Sequence, residues 1–255
     1  MGGNWNAAMQ RATGTWLKLI HDDDWFTNEH SLAAWANAAT KTHAGFLFCS
    51  YITVDEDTGT SAHVAPTSLD LWLLRRSPFN ILRKNSIGPP SVTMIQRDAF
   101  VPYMDDLKWL VDIESYMREL RRTGFEHIAQ PLVCIGVHGG QATNAYFRNP
   151  AVEIPEALEI FNQYDPEFCR NVVAYDYCWR LVRNLDIRKM EDFERYSGGR
   201  AVPDVFVRLI KFQRKLPRAL LHDGVFSKLG VVAHWLYFNT MVMPAARRAE
   251  QSKAR

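Results

Sequence analysis

His21-Asp22-Asp23-Asp24 places an imidazole and three carboxylates in succession, where the apolar run T-W-L-K-L-I stops. Like charges a few ångströms apart repel, so one acid must keep its proton unless a cation neutralises the group. Carboxylate oxygens suit hard cations such as Mg²⁺ or Mn²⁺. Such an ion needs few protein ligands when phosphate oxygens complete its shell. The same acids also fit a solvated turn that favours the N-terminus of the next helix. A triplet of acids does not by itself choose between the two.

The elements that must position this run alternate along the first part of the chain. Residues 4–12 predict a short helix, with Asn4 as its cap and Gly14 just beyond its end. Thr15–Ile20 has strand character, and Asp24–Thr27 reads as a loop. Asn28 is placed to cap a helix that runs to about Thr40. G-F-L-F-C-S-Y-I-T-V at 45–54 predicts a buried strand, followed by a turn over Asp55–Thr60. The stretch 66–87 is mixed, with helical character at Asn80–Asn85, and Pro89-Pro90 breaks the chain. Val92–Gln96 predicts a strand, Asp98 a turn, Asp112–Arg122 a helix closed by Gly124, and Pro131–Val137 another strand. From Ile154 onward the pattern is helical, over 155–163, 165–184, 203–221 and 226–243, punctuated by Pro203 and Pro217.

The expected fold class is therefore α/β, a mixed sheet flanked by helices over residues 1–150, with a helical C-terminal appendage over 151–255. In open sheets of this kind, ligands bind outside the carboxyl ends of the strands. An acidic run after a strand stands at such a place.

Composition excludes several classes. The net charge of +2 over 255 residues lacks the basic excess of a nucleic-acid-binding chain. Cys49, Cys134, Cys169 and Cys178 form no C-x-x-C pair and sit among apolar neighbours. They read as free thiols in a reducing compartment rather than a zinc site. The N-terminus has no apolar core of signal-peptide length. Phe226–Met243 comes nearest to a membrane span and is interrupted by Lys228, His234 and Asn239. A cytoplasmic protein is expected, able to work at the inner face of the membrane. Arg208, Lys211, Arg214, Lys215 and Arg218, spaced along 203–218, would share one helix face opposite Val205, Phe206, Leu209, Ile210 and Phe212. That face could meet an anionic membrane surface or could simply be solvated.

The stretch N-W-N-A-A-M-Q-R-A-T-G-T-W-L-K-L-I-H-D-D-D-W-F resembles the metal-site segment of family 2 glycosyltransferases with the GT-A fold. There an Asn-headed helix ends in Ala-x-Gly, and a strand leads into an Asp-x-Asp-Asp type motif followed by an aromatic. Three later stretches resemble the same family in the same order: R-K-N-S-I-G-P-P-S-V-T-M-I-Q-R-D, D-L-K-W-L-V-D-I-E-S-Y-M-R-E-L-R-R-T-G and P-L-V-C-I-G-V-H-G-G-Q-A-T. The match covers roughly residues 4–150. His21 stands where the family has its first acid. Family members also carry βα units ahead of the Asn-headed helix. At roughly 30 residues per unit, about 60–90 residues would be missing, and the resemblance is to an N-terminally truncated form.

What the resemblance implies is an inverting transfer of a sugar from a nucleotide-diphosphate donor to an acceptor hydroxyl, in envelope or exopolysaccharide synthesis. The cofactor would be Mn²⁺ or Mg²⁺. Asp24 is favoured as metal ligand. Asp22 completes a literal Asp-x-Asp with it, and Asp23 is the acid next in line. Asp23 and His138 would face the donor diphosphate, with Gln141 and Thr143 as weaker candidates. Asp112 is the implied catalytic base, although it also suits an N-cap. Glu114, Trp109 and Tyr116 are candidates for the acceptor site. The acceptor would be a saccharide or a lipid-linked one, and no nucleic acid is implied. The alternative is a catalytically inactive fragment or interaction module that retains half of the fold.

Overall fold

The computed structural model describes residues 2–139 and 145–245. It divides into two compact units, Met1–Tyr146 and Phe147–Arg255.

The first unit is a mixed six-stranded sheet with helices against it. Its elements are α1 (Gly2–Arg11), β1 (Trp16–Leu17), β2 (Asp24–Phe26), α2 (Ser31–Lys41), β3 (Phe46–Asp55), β4 (Ser61–Val64), α3 (Ser68–Arg76), β5 (Thr93–Gln96), α4 (Val111–Thr123) and β6 (Phe125–Val137). The strand order is β1-β5-β3-β6-β2, with β4 paired to the outer half of β3. Only β3 and β6 run parallel. β5 is antiparallel to β3, and β1 is antiparallel to β5, so β1 runs in the direction of β3 and β6. The carboxyl ends of β1, β3 and β6 therefore share one edge of the sheet. The start of β5 and the start of β2 lie toward that same edge.

β3 is central because it is apolar on both faces. Phe46 and Phe48 point one way, and the Phe46 ring meets Tyr116 of α4 at 5.5 Å. Leu47 and Cys49 point the other way, into a cluster with Trp35 of α2, Val92, Met94, Leu132 and Val133. A strand covered on both sides reads as a continuous apolar run rather than an alternation, which is why Gly45–Val54 is legible. A smaller cluster of Trp5, Tyr103, Leu107 and Val111 ties α1 to the start of α4.

Four expectations need correction. Asp24–Phe26 is a strand rather than a loop, held to Val133–Ile135 by backbone pairing that no side-chain pattern announces. β4 was not expected, and its mostly exposed residues lack an apolar face. β6 begins six residues before Pro131. It passes through that proline at a register irregularity opposite Ser50, where the missing N–H is tolerated. Asn28 does not cap α2, which starts at Ser31; its Oδ1 accepts from the His30 N–H instead, at 2.9 Å.

The second unit, among its described residues, is helical: Pro150–Tyr164, Glu167–Arg170, Val172–Asn184, Met190–Glu194, Asp204–Gln213, Arg218–His222 and Gly224–Tyr237, followed by a π-helical turn over Phe238–Val242. Ile154, Leu158, Phe161, Phe168, Trp179, Phe193, Phe206 and Leu209 are buried within it. The expected continuous helix over 203–221 is broken before Pro217, which has no N–H to continue the ladder. The five basic residues of 203–218 therefore do not share one helix. Arg208 pairs with Asp204 at 2.6 Å, and Arg218 pairs with Asp186. No described helix is long and apolar enough to cross a membrane. All four cysteines are buried free thiols.

Candidate metal and diphosphate site

The acidic run sits at the carboxyl edge, in the turn between β1 and β2. The Asp24 N–H donates to the His21 carbonyl at 3.2 Å, which closes the turn. Asp22 stands at its exposed corner. His21, Asp23 and Asp24 each offer a ligand atom, and these atoms lie within 4.8 Å of one another. Asp22 lies outside that group. The literal Asp-x-Asp pair of Asp22 and Asp24 is thus not what the fold gathers; the adjacent acids and the histidine are.

Asp24 is the most enclosed of the acids, with its side chain 2 % exposed. Burial raises its carboxyl above the usual range, the Ser91 hydroxyl opposes this by donating to it, and the charge of Asp23 raises it further. The Gly136 N–H donates to Asp24 Oδ1 at 3.3 Å and to the Asp23 carbonyl at 3.2 Å. His21 lies 3.7 Å from Asp24, Nδ1 to Oδ2. Burial lowers its pKa, so the ring is neutral at pH 7. It stacks on Trp5 at 5.1 Å between ring centroids, and its backbone N–H donates to Ser91 Oγ at 2.9 Å. His21 Nε2 is buried with no hydrogen-bond partner among the described residues.

These residues fit a divalent cation. Two carboxylates and a neutral imidazole form a mixed oxygen and nitrogen donor set suited to Mn²⁺ and compatible with Mg²⁺. A cation would also relieve the repulsion that now falls on Asp24.

Behind the cluster stands Lys18. Its ammonium lies under the Trp35 ring at 5.2 Å and donates to the carbonyls of Ser91 and Leu19. Burial lowers its pKa to about 8, so the ammonium form predominates at pH 7. Lys18 holds the backbone at Ser91, and Ser91 in turn holds His21 and Asp24.

Asp112 is the second residue of α4. The helix cap is Leu110, without a side-chain cap bond, so Asp112 is not the N-cap. Its Oδ2 accepts from Asn85 Nδ2 at 3.1 Å, and its Oδ1 accepts from the Ile113 N–H at 2.8 Å. Asn85 is itself fixed. Its Oδ1 accepts from the N–H of Gly88 at 2.9 Å and of Ile87 at 3.2 Å, while Nδ2 also donates to the Gly88 carbonyl at 3.1 Å. Gly88 has φ +111°, and a Cβ there would stand 2.7 Å from the Tyr51 ring. The turn is thus a glycine turn by conformation and by space. The Tyr116 hydroxyl donates to the Gly88 carbonyl at 3.0 Å.

The fold joins the two halves of the candidate site through Asn85–Ser91. Asn85 holds Asp112 at one end, and Ser91 holds Asp24 and His21 at the other. Six residues of chain keep those ends within about 20 Å of each other.

The remaining candidates are placed differently. His138 is half-buried and directly follows β6, two residues past Gly136. Trp109 is half-buried just ahead of α4. Glu114 is buried in a two-pronged pair with Arg118, at 2.9 and 2.7 Å. Tyr116 is fully buried against Phe46 and supports the Gly88 turn. Gly140, Gln141 and Thr143 lie outside the described residues. Sequence reasoning missed Lys18, Asn85, Ser91 and Gly136. Lys18 had a signal, as the lone charge in T-W-L-K-L-I. Asn85 and Ser91 had one as the ends of N-S-I-G-P-P-S.

No protein-family model matches this chain, and no curated protein matches it. Among solved structures it is similar to S. aureus TarS 1-349 in complex with UDP-GlcNAc. The two are 13 % identical over 82 % of this chain and 70 % of that one, with a TM-score of 0.44.

Proposed function

We propose that the first unit transfers a sugar from a nucleotide-diphosphate donor to an acceptor hydroxyl with inversion, using a divalent cation on Asp24, Asp23 and His21. The observation that carries this reading is the Asn85–Ser91 segment, which couples a carboxylate at a helix start to an acidic cluster at the carboxyl edge. Inverting transfer needs those two parts. One neutralises the departing diphosphate, and the other takes a proton from the acceptor.

In this reading the cation, when bound, stabilises the negative charge that develops on the leaving diphosphate. Asp24 and Asp23 supply oxygens, and His21 supplies a neutral nitrogen. Ser91 and the Gly136 N–H fix the Asp24 carboxylate. Asp112 accepts the acceptor's proton as its oxygen bonds to the anomeric carbon and the bond from that carbon to the phosphate oxygen breaks. Asn85 points the Asp112 carboxylate. In this reading His138, just past the end of β6, donates to the diphosphate, and Trp109 offers an apolar face to an acceptor sugar.

The test is calorimetric titration with Mn²⁺ and a panel of nucleotide-diphosphate sugars, followed by donor hydrolysis. Wild-type protein binds a donor only with Mn²⁺ or Mg²⁺ present, and Asp24→Asn removes that dependence together with binding. Metal-independent donor binding, or an Asp24→Asn protein that still turns over, overturns the reading.

A further inference from the structure

The helix Gly224–Tyr237 is built inside out. Ser227, Val231, His234 and Phe238 recur at i, i+4, i+7 and i+11 and are buried. Two of these four are polar, and both are satisfied inside the unit. Ser227 Oγ accepts from Trp179 Nε1 at 3.0 Å and from Arg183 Nη1 at 2.9 Å. His234 Nδ1 lies 2.7 Å from the Tyr175 hydroxyl. Val225, Leu229, Val232 and Leu236 recur with the same spacing, two residues out of phase. Two residues is roughly 200° on a helix, so this second stripe lies opposite the first. These four are 45–68 % exposed, and Phe226 and Tyr237 beside them are 59 % and 50 % exposed. A helix that is apolar on its outward side as well as part of its inward side needs a cover.

We propose that this outward stripe docks on an anionic lipid surface. The charge around it selects that occupant. Within the described stretch 204–245, six Lys and Arg stand against two Asp, and Lys211, Arg214, Lys215 and Lys228 among them are exposed. Lys228 is exposed on the helix itself. The Phe212 ring lies 5.1 Å from that of His234, which brings the segment carrying the exposed Lys211, Arg214 and Lys215 against this helix. Apolar side chains rimmed by cations match an acyl layer beneath anionic headgroups. A second copy fits less well, because a two-fold contact would set this basic rim against itself. The stripe differs from the basic segment 203–218 as an anchor: that segment supplies charge, and the apolar insertion comes from Gly224–Tyr237. This inference does not depend on the catalytic reading.

Co-sedimentation of the full chain with vesicles tests it. Vesicles of equal phosphatidylglycerol and phosphatidylcholine should retain the protein, and phosphatidylcholine alone should not. Raising salt from about 0.1 M to about 0.5 M should weaken the binding, since the headgroup attraction is screened. The double variant Leu229→Gln/Leu236→Gln should partition about tenfold or more weakly. Both positions face outward, so its circular-dichroism melt should match the wild type. The pair Lys211→Glu/Lys215→Glu should lose the preference for phosphatidylglycerol while keeping its fold. Three results overturn the proposal: no retention on phosphatidylglycerol vesicles, unchanged binding by a folded Leu229→Gln/Leu236→Gln protein, or a dimer by light scattering that this variant dissociates.

Discussion

Asn85 donates to the one carboxylate oxygen of Asp112 that the helix backbone does not hold. In the proposed reaction that bond helps to aim the carboxylate at the acceptor hydroxyl. Asn85→Ala should lower kcat by about tenfold to a hundredfold while the donor KM stays near wild type, whereas Asp112→Asn should cost about a hundredfold or more. Steady-state kinetics at saturating donor checks the split. A rise in donor KM alone would place Asn85 in binding instead. Ser91 is the matching support at the acidic cluster, fully buried against His21 and Asp24. Removing its hydroxyl with Ser91→Ala should weaken Mn²⁺ binding by roughly 10–100-fold, as loss of an outer partner of a metal ligand does. Titration calorimetry measures this directly. The candidate site was legible in the sequence at its charged residues and not at these two. A run of acids is conspicuous by charge density. A serine or asparagine in a loop earns notice only through the atoms it touches, and those lie far along the chain from it.

At the scale of elements, the close approach of β2 to β6 depends on a residue without a side chain. A Cβ on Gly136 would stand 2.5 Å from the Asp23 carbonyl oxygen and from Glu56 Oε1. The Glu56 side chain can swing away, but the backbone at Asp23 cannot move without moving the acids. Gly136→Ala should therefore destabilise the first unit by about 1–3 kcal/mol, the usual range for overpacking, and should weaken Mn²⁺ binding as well. A melt with unchanged midpoint and unchanged metal affinity would show that β2 slides freely. This contact also explains what patterning could and could not reveal. β3 was legible because burial on both faces makes it continuously apolar. β2 was not, because three residues carrying an aspartate have no period, and backbone pairing to a partner more than a hundred residues away holds them. β6 was half legible, since its first six residues are mostly half-buried or exposed and only Leu132–Ile135 are buried as an apolar run.

Across the whole molecule, acid acts through different groups in the two units. In the first, burial raises Asp24 and lowers His21, so their effects on stability oppose each other as pH falls. In the second, His234 stands out. Burial lowers its pKa from the ordinary 6.5 to about 4, with the Arg208 guanidinium acting in the same direction. The ring is neutral and fully bonded, to the Tyr175 hydroxyl through Nδ1 and to the Arg208 carbonyl. Above pH 6.5 the ring is neutral in both folded and unfolded chains, and its contribution is fully present. Between 6.5 and about 4 the unfolded chain takes up the proton first, so stability falls with pH. Below about 4 both forms are protonated and the loss is complete. The shift corresponds to a loss on the order of 3 kcal/mol. Hydrogen exchange of the amides in Val172–Asn184, which pack against this histidine, should therefore quicken over that window. His234→Gln retains an acceptor for Tyr175 and a donor for the Arg208 carbonyl but cannot titrate. In that variant, exchange in Val172–Asn184, corrected for the intrinsic pH dependence of amide exchange, should no longer respond to pH between 6.5 and 4. If the wild-type response persists, the acid sensitivity of the second unit arises from its carboxylates, and His234 is only a packing residue.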